Sequence, residues 1–263
     1  MSSNIAKCGV IGNPIEHSLS PEIHSKFAQD TGILLEYSKY LVEEQELKEF
    51  VSRFFSEGGV GLNVTAPFKQ SVLNCANRLS ESAKICQSVN TLSINSVGEI
   101  IGDTTDGEGI LLDLNRLGFA TENRKVLILG AGGATLPVAL ALMKNHCHVS
   151  IYNRTQSKVD ELVKRLSPFG AIQSFDPSNS QVYDGLISAV SRFNSQLLDA
   201  ALSRLKSDAF GYDLNYSERA KTTLDYMETK GVSRLSDGYG MLIGQAARSF
   251  QIWHGIMPPL HLD

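Results

Sequence analysis

The fold of this chain is decided by the stretch KVLILGAGGAT, residues 125–135. Four apolar residues, 126–129, give the pattern of a short buried strand, and glycines follow at once. The run 136–143 is almost wholly apolar and has the length of a helix. A strand, a glycine-rich turn and a helix in this order are typical of a dinucleotide-binding site.

The glycines of this turn have separate expected roles. Gly130 allows a sharp turn, and Gly132 lets backbone N–H groups approach a pyrophosphate at the N-terminus of the following helix. Thr135 stands where the pattern G-x-G-x-x-G expects a third glycine or an alanine. We expect its small hydroxyl to face a phosphate.

Composition limits the classes of function. The chain has 263 residues, 42% hydrophobic and 20% charged, which suits a soluble protein of one large or two ordinary domains. Its net charge of −4 argues against broad binding to nucleic acid or to an anionic membrane.

Cysteine usage predicts a reduced cytoplasmic location. Cys8, Cys75, Cys86 and Cys147 are far apart and contain no C-x-x-C pair. No apolar run is long enough for a membrane span, and residues 1–7 are too short and polar for a signal peptide.

The first hundred residues predict a small α/β domain. Strands are expected at 7–12, 35–41 and 59–64, with two more near 89–94 and 99–102. Ser20 is expected to cap a helix whose first residue is Pro21, and residues 43–56 have the period of an amphipathic helix.

The region from 106 to about 237 predicts a Rossmann-type parallel sheet. A helix follows residues 106–107, and the second strand of a βαβ unit is expected at 148–152. Thr155 is expected to cap the next helix. Strand-like runs return at 171–175, 185–190 and 209–214. An amphipathic helix begins near Tyr239 and is expected to pack back on the first domain.

Nucleotide choice in such folds depends on the end of the second Rossmann strand, where a carboxylate favours NAD. This chain places Asn153, Arg154 and Thr155 there, followed by Lys158. A guanidinium offers a planar fork to a 2′-phosphate, and a second cation one turn later supports it. The pattern therefore favours NADP(H), although the two cations would also suit the solvated start of a helix.

Three polar clusters precede the Rossmann region. Ser18 and Ser20 lie ahead of a helix N-terminus and would suit a carboxylate, or Ser20 only caps its helix. A second cluster, NVTAPFK at 63–69, ends in Lys69. A single lysine is usually a solvated charge. The third, GDTTDG at 102–107, holds Asp106, which would also suit a helix cap. Spacing alone leaves both interpretations open for each cluster.

Taken together, the motifs resemble those of the shikimate dehydrogenase family. The resemblance covers nearly the whole chain, with the motifs in the family's order. They are GNPIEHSLSP at 12–21, NVTAPFK at 63–69, VNT at 89–91, TDG at 105–107, GAGGA at 130–134, NRT at 153–155, DGYGML at 237–242 and QA at 245–246.

The resemblance implies reversible reduction of 3-dehydroshikimate to shikimate by NADPH, a step of the pathway to chorismate and the aromatic amino acids. It implies that Lys69 and Asp106 form the catalytic pair. A cation beside the ketone oxygen would stabilise its developing negative charge and donate a proton. The implied substrate-binding residues are Ser18, Ser20, Asn63, Thr65, Lys69, Asn90, Asp106, Tyr216 and Gln245. Of these, Ser18 and Ser20 would hold the carboxylate with help from Tyr216.

The same resemblance implies two domains and a set of NADP(H) contacts. Residues 1–105 and 238–263 would form an α/β substrate-binding and catalytic domain, and residues 106–237 a doubly wound NADP-binding Rossmann domain. No metal site is expected. The implied cofactor-binding residues are Gly130, Ala131, Gly132, Gly133, Ala134, Asn153, Arg154, Thr155, Lys158, Ser188, Leu214, Gly238 and Met241.

Two positions depart from the family pattern. Thr104 stands where the family commonly has Asn, and the strand ending at residues 187–190 lacks the usual Asn-Ala-Thr, with Ser188 inside it. Two other functions stay open, a broader quinate/shikimate dehydrogenase and a non-catalytic NADP-binding sensor. We expect a small-molecule substrate, a monomer or homodimer, and neither nucleic acid nor membrane as partner.

Overall fold

The computed structural model describes residues 5–262. It contains two compact units, Met1–Thr105 with Ile243–Asp263, and Asp106–Leu242. The chain returns to the first unit at Ile243. The segment 1–7, which is too short and polar for a signal peptide, includes residues 1–4, and these lie outside the described residues.

The first unit contains a mixed six-stranded sheet of order β2-β1-β3-β5-β6-β4. Strands β1, β2 and β3 are parallel, whereas β5 is antiparallel to both β3 and β6. Its strands are β1 (Ala6–Gly12), β2 (Leu35–Leu41), β3 (Gly59–Val64), β4 (Arg78–Leu79), β5 (Thr91–Ile94) and β6 (Ile100–Asp103). Its first helices are α1 (Ser20–Thr31), α2 (Leu47–Ser56) and α3 (Glu81–Cys86).

The strands predicted from the first hundred residues are confirmed, and two helix details are wrong. Helix α1 begins at Ser20 itself, and its cap position is Leu19, which has no side-chain acceptor. The predicted helix at 43–56 begins instead as a 3-10 turn, Glu44–Glu46, before α2. A second 3-10 turn, Ser71–Cys75, follows the motif NVTAPFK at residues 63–69.

The second unit contains a six-stranded sheet of order β12-β11-β10-β7-β8-β9, all parallel. Its strands are β7 (Lys125–Leu129), β8 (His148–Tyr152), β9 (Ile172–Ser174), β10 (Tyr183–Ser188), β11 (Leu205–Asp213) and β12 (Arg234–Ser236). Its helices are α4 (Asp106–Arg116), α5 (Thr135–Lys144), α6 (Gln156–Leu166), α7 (Ser195–Leu202) and α8 (Glu218–Thr229), with a 3-10 turn at Ser167–Phe169. The predicted doubly wound order is confirmed.

The apolar run at residues 126–129 forms the centre of this sheet. Residues 126–129 of β7 are all fully buried, between β10 and β8. A strand buried on both faces needs an unbroken apolar sequence rather than an alternating one. The strand order reverses between β7 and β10, the usual place of a ligand in such a sheet.

The last helix, α9 (Tyr239–His254), crosses the boundary between the units at residue 242. Its C-terminal part is held in the first unit, where Trp253 Nε1 donates to the carbonyl oxygen of Leu92 across 3.0 Å. None of the helices among residues 5–262 is long and apolar enough to cross a membrane.

Candidate functional site

The glycine-rich turn after β7 is shaped by Gly130. Its backbone has a φ of 108°, and a Cβ atom there would lie 2.9 Å from the carbonyl oxygen of Ala189. Its N–H donates to the carbonyl of Tyr152 at the end of β8, across 2.8 Å. Only glycine meets both the conformation and the close approach without strain.

Thr135 stabilises this turn by two hydrogen bonds. Its hydroxyl donates to the carbonyl oxygen of Gly130 across 3.1 Å, and its N–H donates to the carbonyl of Gly132 across 3.0 Å. The side chain is fully buried. The expectation that the Thr135 hydroxyl faces a phosphate is therefore wrong, because its proton is directed at the turn itself.

A cavity of about 500 Å³ lies at this turn. It is lined by seven of the residues predicted to bind the cofactor: Gly130, Ala131, Gly132, Asn153, Arg154, Thr155 and Lys158. No Asp or Glu is among the described residues that line it. The arrangement suits an anionic nucleotide, because Arg154 and Lys158 line the cavity without a carboxylate from the described residues to repel it.

The cations after β8 are available to a ligand. Arg154 and Lys158 are exposed, and neither forms an ion pair within residues 5–262. Thr155 occupies the cap position of α6 as predicted, but its hydroxyl accepts no hydrogen bond from the helix. Asn153 Nδ2 donates to the carbonyl of Thr155 across 3.2 Å, which fixes the bend between strand and helix.

The opposite wall of the cavity is formed by residues that the sequence pattern did not predict: Ala189, Val190, Ser191, Arg192, Phe193, Asn194 and Leu197. They follow β10, near residues 187–190, where this chain lacks the Asn-Ala-Thr of the family pattern. The only available signal was position, since loops after parallel strands lie at the ligand-binding edge of the sheet.

The other residues predicted to bind the cofactor do not line this cavity: Gly133, Ala134, Ser188, Leu214, Gly238 and Met241. Ser188 is fully buried within the sheet, and its hydroxyl has no hydrogen-bond partner among residues 5–262. Its register partner in β11 is Asp213, whose pKa is raised by burial. A contact of these six residues with the cofactor stays a prediction.

The first unit holds a buried polar cluster around Asn63, at the end of β3. The Nδ2 group of Asn63 donates to Ser249 Oγ at 2.9 Å and to the carbonyl of Asn90 at 3.2 Å. Its Oδ1 accepts the hydroxyl proton of Tyr37 at 2.8 Å. These bonds fix which way the Asn63 amide points.

Asn90 forms the second part of the same cluster. Its Oδ1 accepts the N–H of Thr105 at 2.9 Å, and its Nδ2 donates to the side-chain oxygen of Gln245 at 3.2 Å. The Thr105 hydroxyl donates to the carbonyl of Gln245 at 3.0 Å. Three predicted substrate residues, Asn63, Asn90 and Gln245, are thus brought together.

Ser249 was not predicted, although it connects this cluster. It is fully buried and shares a 2.8 Å hydrogen bond with the hydroxyl of Thr91. The available signal was its place four residues after Gln245 on α9, which puts both on one helix face.

The Ser18 and Ser20 hydroxyls lie together, 3.1 Å apart, with Ser18 Oγ donating. The N–H of Ser20 also donates to Ser18 Oγ, at 3.3 Å. The hydroxyl of Ser20 therefore bonds to its neighbour instead of capping α1, which corrects the predicted N-cap role. Two adjacent hydroxyls at a helix N-terminus suit a carboxylate.

Lys69 is half-buried and follows Phe68, whose side chain is almost fully buried. The carbonyl of Lys69 accepts the N–H of Val89 at 2.8 Å, which ties the 63–69 motif to the segment containing Asn90. Thr65 is anchored by its N–H, which donates to the carbonyl of Ile11 at 3.0 Å.

Asp106 and Tyr216 belong to the second unit. Asp106 is buried and is the first residue of α4. The next residue, Gly107, packs so closely on α5 that a Cβ atom would lie 2.4 Å from the carbonyl of Pro137. The ring centre of Tyr216 lies 6.5 Å from that of Tyr239.

Thr104 is buried, and its hydroxyl has no hydrogen-bond partner among residues 5–262. In the same described part of the chain, no group of three or more His, Cys, Asp and Glu side chains has an arrangement that could hold a metal.

The parallel sheet has a cavity lined by cations at the point where its strand order reverses. Further along the chain, α9 contributes to the buried cluster of amides and hydroxyls. Together these features define a nucleotide-dependent α/β oxidoreductase. Family models agree on the class. The model for a shikimate dehydrogenase substrate binding domain matches residues 10–92, and that for shikimate / quinate 5-dehydrogenase matches residues 114–208. The model for a shikimate 5′-dehydrogenase C-terminal domain matches residues 238–262.

The chain belongs to the shikimate dehydrogenase family, as predicted. The shikimate dehydrogenase (NADP(+)) of Buchnera aphidicola subsp. Schizaphis graminum (strain Sg) is 44% identical over 254 residues, covering 96% of this chain and 93% of that protein. The crystal structure of shikimate dehydrogenase from Aquifex aeolicus matches with a TM-score of 0.84 at 27% identity, covering 99% of this chain and 96% of that one. A shikimate dehydrogenase crystallised with NADP+ matches with a TM-score of 0.82 at 28% identity, covering 97% and 92%.

Proposed function

We propose that this protein is an NADP-dependent shikimate dehydrogenase, which catalyses the reversible reduction of 3-dehydroshikimate to shikimate. The observation that carries the NADP dependence is the cavity at Gly130, which Arg154 and Lys158 line and which no carboxylate of residues 5–262 lines. The names of the relatives, which specify shikimate dehydrogenase and NADP(+), support the same activity.

The cofactor is NADP(H), which supplies the hydride when bound. Arg154 and Lys158 would hold its 2′-phosphate, because both are exposed cations without an internal ion pair in the described chain. A carboxylate at this place would instead accept a hydrogen bond from a ribose 2′-hydroxyl and repel a 2′-phosphate. The turn at Gly130 and Gly132 would bring the backbone N–H groups at the N-terminus of α5 to the pyrophosphate.

The substrate site would use neutral hydrogen-bonding groups for the ring and hydroxyls for the carboxylate. Ser18 and Ser20, with Tyr216, would bind the carboxylate of shikimate. The ring hydroxyls would bind to the side chains of Asn63, Thr65, Asn90, Asp106 and Gln245. The mutual hydrogen bonds of Asn63, Asn90 and Gln245 support this role, since fixed amides distinguish one hydroxyl pattern from another.

Lys69 and Asp106 would move the proton. When hydride reaches the ketone carbon, negative charge develops on its oxygen, and the Lys69 ammonium would stabilise this charge and donate the proton. In shikimate oxidation, Lys69 would accept the proton. Asp106 would orient the ammonium and the substrate hydroxyl.

The proposed setting is the cytoplasm, where the enzyme would act on small molecules as a monomer or homodimer, with neither nucleic acid nor membrane as partner. The reaction would belong to the pathway that leads to chorismate and the aromatic amino acids. The absence of a cysteine pairing motif in the sequence supports a reduced compartment.

The test is NADP+ reduction followed at increasing shikimate concentration, with quinate and NAD+ as parallel controls. We expect turnover with shikimate and NADP+ to exceed that with quinate or NAD+. Comparable turnover of quinate would instead establish the broader quinate/shikimate dehydrogenase. Binding of NADPH without any shikimate-dependent absorbance change would establish a non-catalytic sensor.

A further inference from the structure

We propose that Arg192 is a third cation for the 2′-phosphate of the cofactor and helps to set the preference for NADP over NAD. This inference rests on the proposed NADP dependence. Arg192 lies outside the NRT motif at 153–155, in the loop that follows β10, and it lines the same cavity as Arg154 and Lys158.

The sheet order places these cations on two walls of one cavity. Arg154 and Lys158 follow β8, on one side of β7, whereas Arg192 follows β10, on the other side. The turn after β7 lines the same cavity. A nucleotide bound in the crevice between these loops would have its adenosine end between the two walls.

Three cations line the cavity, and no carboxylate among residues 5–262 lines it to neutralise them. Arg192, like Arg154 and Lys158, is exposed and forms no ion pair within residues 5–262. A 2′-phosphate carries about 1.5 to 2 negative charges and three acceptor oxygens, so it can bind more than one cation. The pyrophosphate would have its own donors, the backbone N–H groups at the N-terminus of α5.

The loop that carries Arg192 is anchored on both sides. Asn215 Nδ2 donates to the carbonyl of Val190 across 2.9 Å. Asn194 Oδ1 accepts the N–H of Leu197 across 3.0 Å and so caps α7. The Phe193 ring packs edge-on against Tyr226, with ring centres 5.2 Å apart. Fixed backbone on either side of Arg192 reduces the entropy lost when its guanidinium binds a phosphate.

The test compares Arg192→Gln with the wild type by calorimetric titration of NADP+ and NAD+ into the full chain. We expect the Kd for NADP+ to rise about tenfold, as for loss of one charge-assisted hydrogen bond, while the Kd for NAD+ changes less than about twofold. Arg219→Gln on α8 removes the same charge from an exposed residue that does not line the cavity, and both Kd values should stay unchanged.

An unchanged Kd for NADP+ would overturn the proposal, as would equal weakening of NADP+ and NAD+, which would place Arg192 at the pyrophosphate. Equal thermal melting temperatures of variant and wild type would show that the loss is not one of folding. Shikimate oxidation is measured separately. Selective loss of NADP+ affinity in a protein that does not oxidise shikimate would refute the proposed activity and leave the role of Arg192 standing.

Discussion

The hydroxyl of Thr135 donates a hydrogen bond to the carbonyl oxygen of Gly130 across 3.1 Å, from a fully buried position at the start of α5. Gly130 has a φ of 108° and is buried, and a buried carbonyl oxygen needs a hydrogen-bond donor. Thr135, which departs from the G-x-G-x-x-G pattern, therefore holds the turn in shape.

Replacing Thr135 with Ala should destabilise this turn, because a buried hydrogen bond is lost and a small void is created. We expect the free energy of unfolding to fall by about 1 to 2 kcal/mol, measured by urea denaturation. Thr135→Ser keeps the hydroxyl and should retain most of that stability. Equal losses in both variants would show that the methyl group, not the hydrogen bond, carries the effect.

Long, strongly patterned elements of the fold could be predicted from the sequence. Strand β7 has an unbroken apolar run because it is buried on both faces, and β8 was predicted with its observed bounds. The two-residue strand β4 and the short helix α3 have no such pattern. The position of β4 depends on tertiary hydrogen bonds, such as that from the N–H of Asn77 to the carbonyl of Ile100. Helix α3 begins at a local cap, where Ser80 Oγ accepts the N–H of Ala83 across 3.2 Å.

The residues of the candidate site could likewise be predicted only in part. The motifs indicated Asn63, Asn90 and Gln245, but Ser249 and its bond to Thr91 join positions 158 residues apart in the chain. No local pattern records such a contact. Arg192 was missed because a single cation in a loop is usually a solvated charge, and only the fold brings it to the cavity.

Replacing Arg154 with Gln should weaken NADP+ binding selectively. Arg154 lines the cavity and has no ion pair within the described residues, so its loss leaves no buried charge behind. We expect the Kd for NADP+ to rise about 10- to 100-fold, with little change for NAD+. Calorimetric titration of both nucleotides checks this, with Arg219→Gln as the control for net charge. Equal weakening of both would place Arg154 away from the 2′-phosphate.

Replacing Lys69 with Ala should abolish most turnover, because the developing charge on the ketone oxygen would lose both its cation and its proton donor. We expect kcat for shikimate oxidation to fall about 10²- to 10⁴-fold, whereas the Kd for NADP+ stays close to the wild-type value. Lys84→Ala, an exposed lysine of α3, is the matched control. Near-wild-type oxidation by the Lys69 variant would remove this residue from the mechanism.

Replacing Tyr37 with Phe should loosen the orientation of Asn63, because the 2.8 Å hydrogen bond to its Oδ1 is lost. We expect KM for shikimate to rise with little change in kcat, and the free energy of unfolding to fall by about 1 to 2 kcal/mol. Tyr40→Phe on the same strand is the control, since the Tyr40 hydroxyl has no hydrogen-bond partner among residues 5–262. A fall in kcat at unchanged KM would contradict a role in binding.

His24 links the stability of the first unit to pH. Its ring is fully buried and stacks on Tyr37, with ring centres 4.4 Å apart. Asn63 approaches the ring, but its amide protons are directed at Ser249 and at the carbonyl of Asn90, so neither ring nitrogen has a partner in the described chain. Burial lowers the pKa of His24 from 6.5 to about 3.

Between pH 6.5 and about 3, the unfolded chain therefore binds a proton on His24 that the folded chain does not. The free energy of unfolding has its full His24 contribution above pH 6.5 and falls as the pH falls toward 3. Replacing His24 with Phe keeps a ring in the stack and removes the titration. From pH 7 to pH 5, the wild type should lose about 2 kcal/mol more than the variant, measured by urea denaturation at both values. His254, whose pKa burial also lowers, is present in both proteins, and its positive charge also lowers the pKa of His24. Parallel losses in the two proteins would show that His24 is protonated as readily in the folded chain as in the unfolded one.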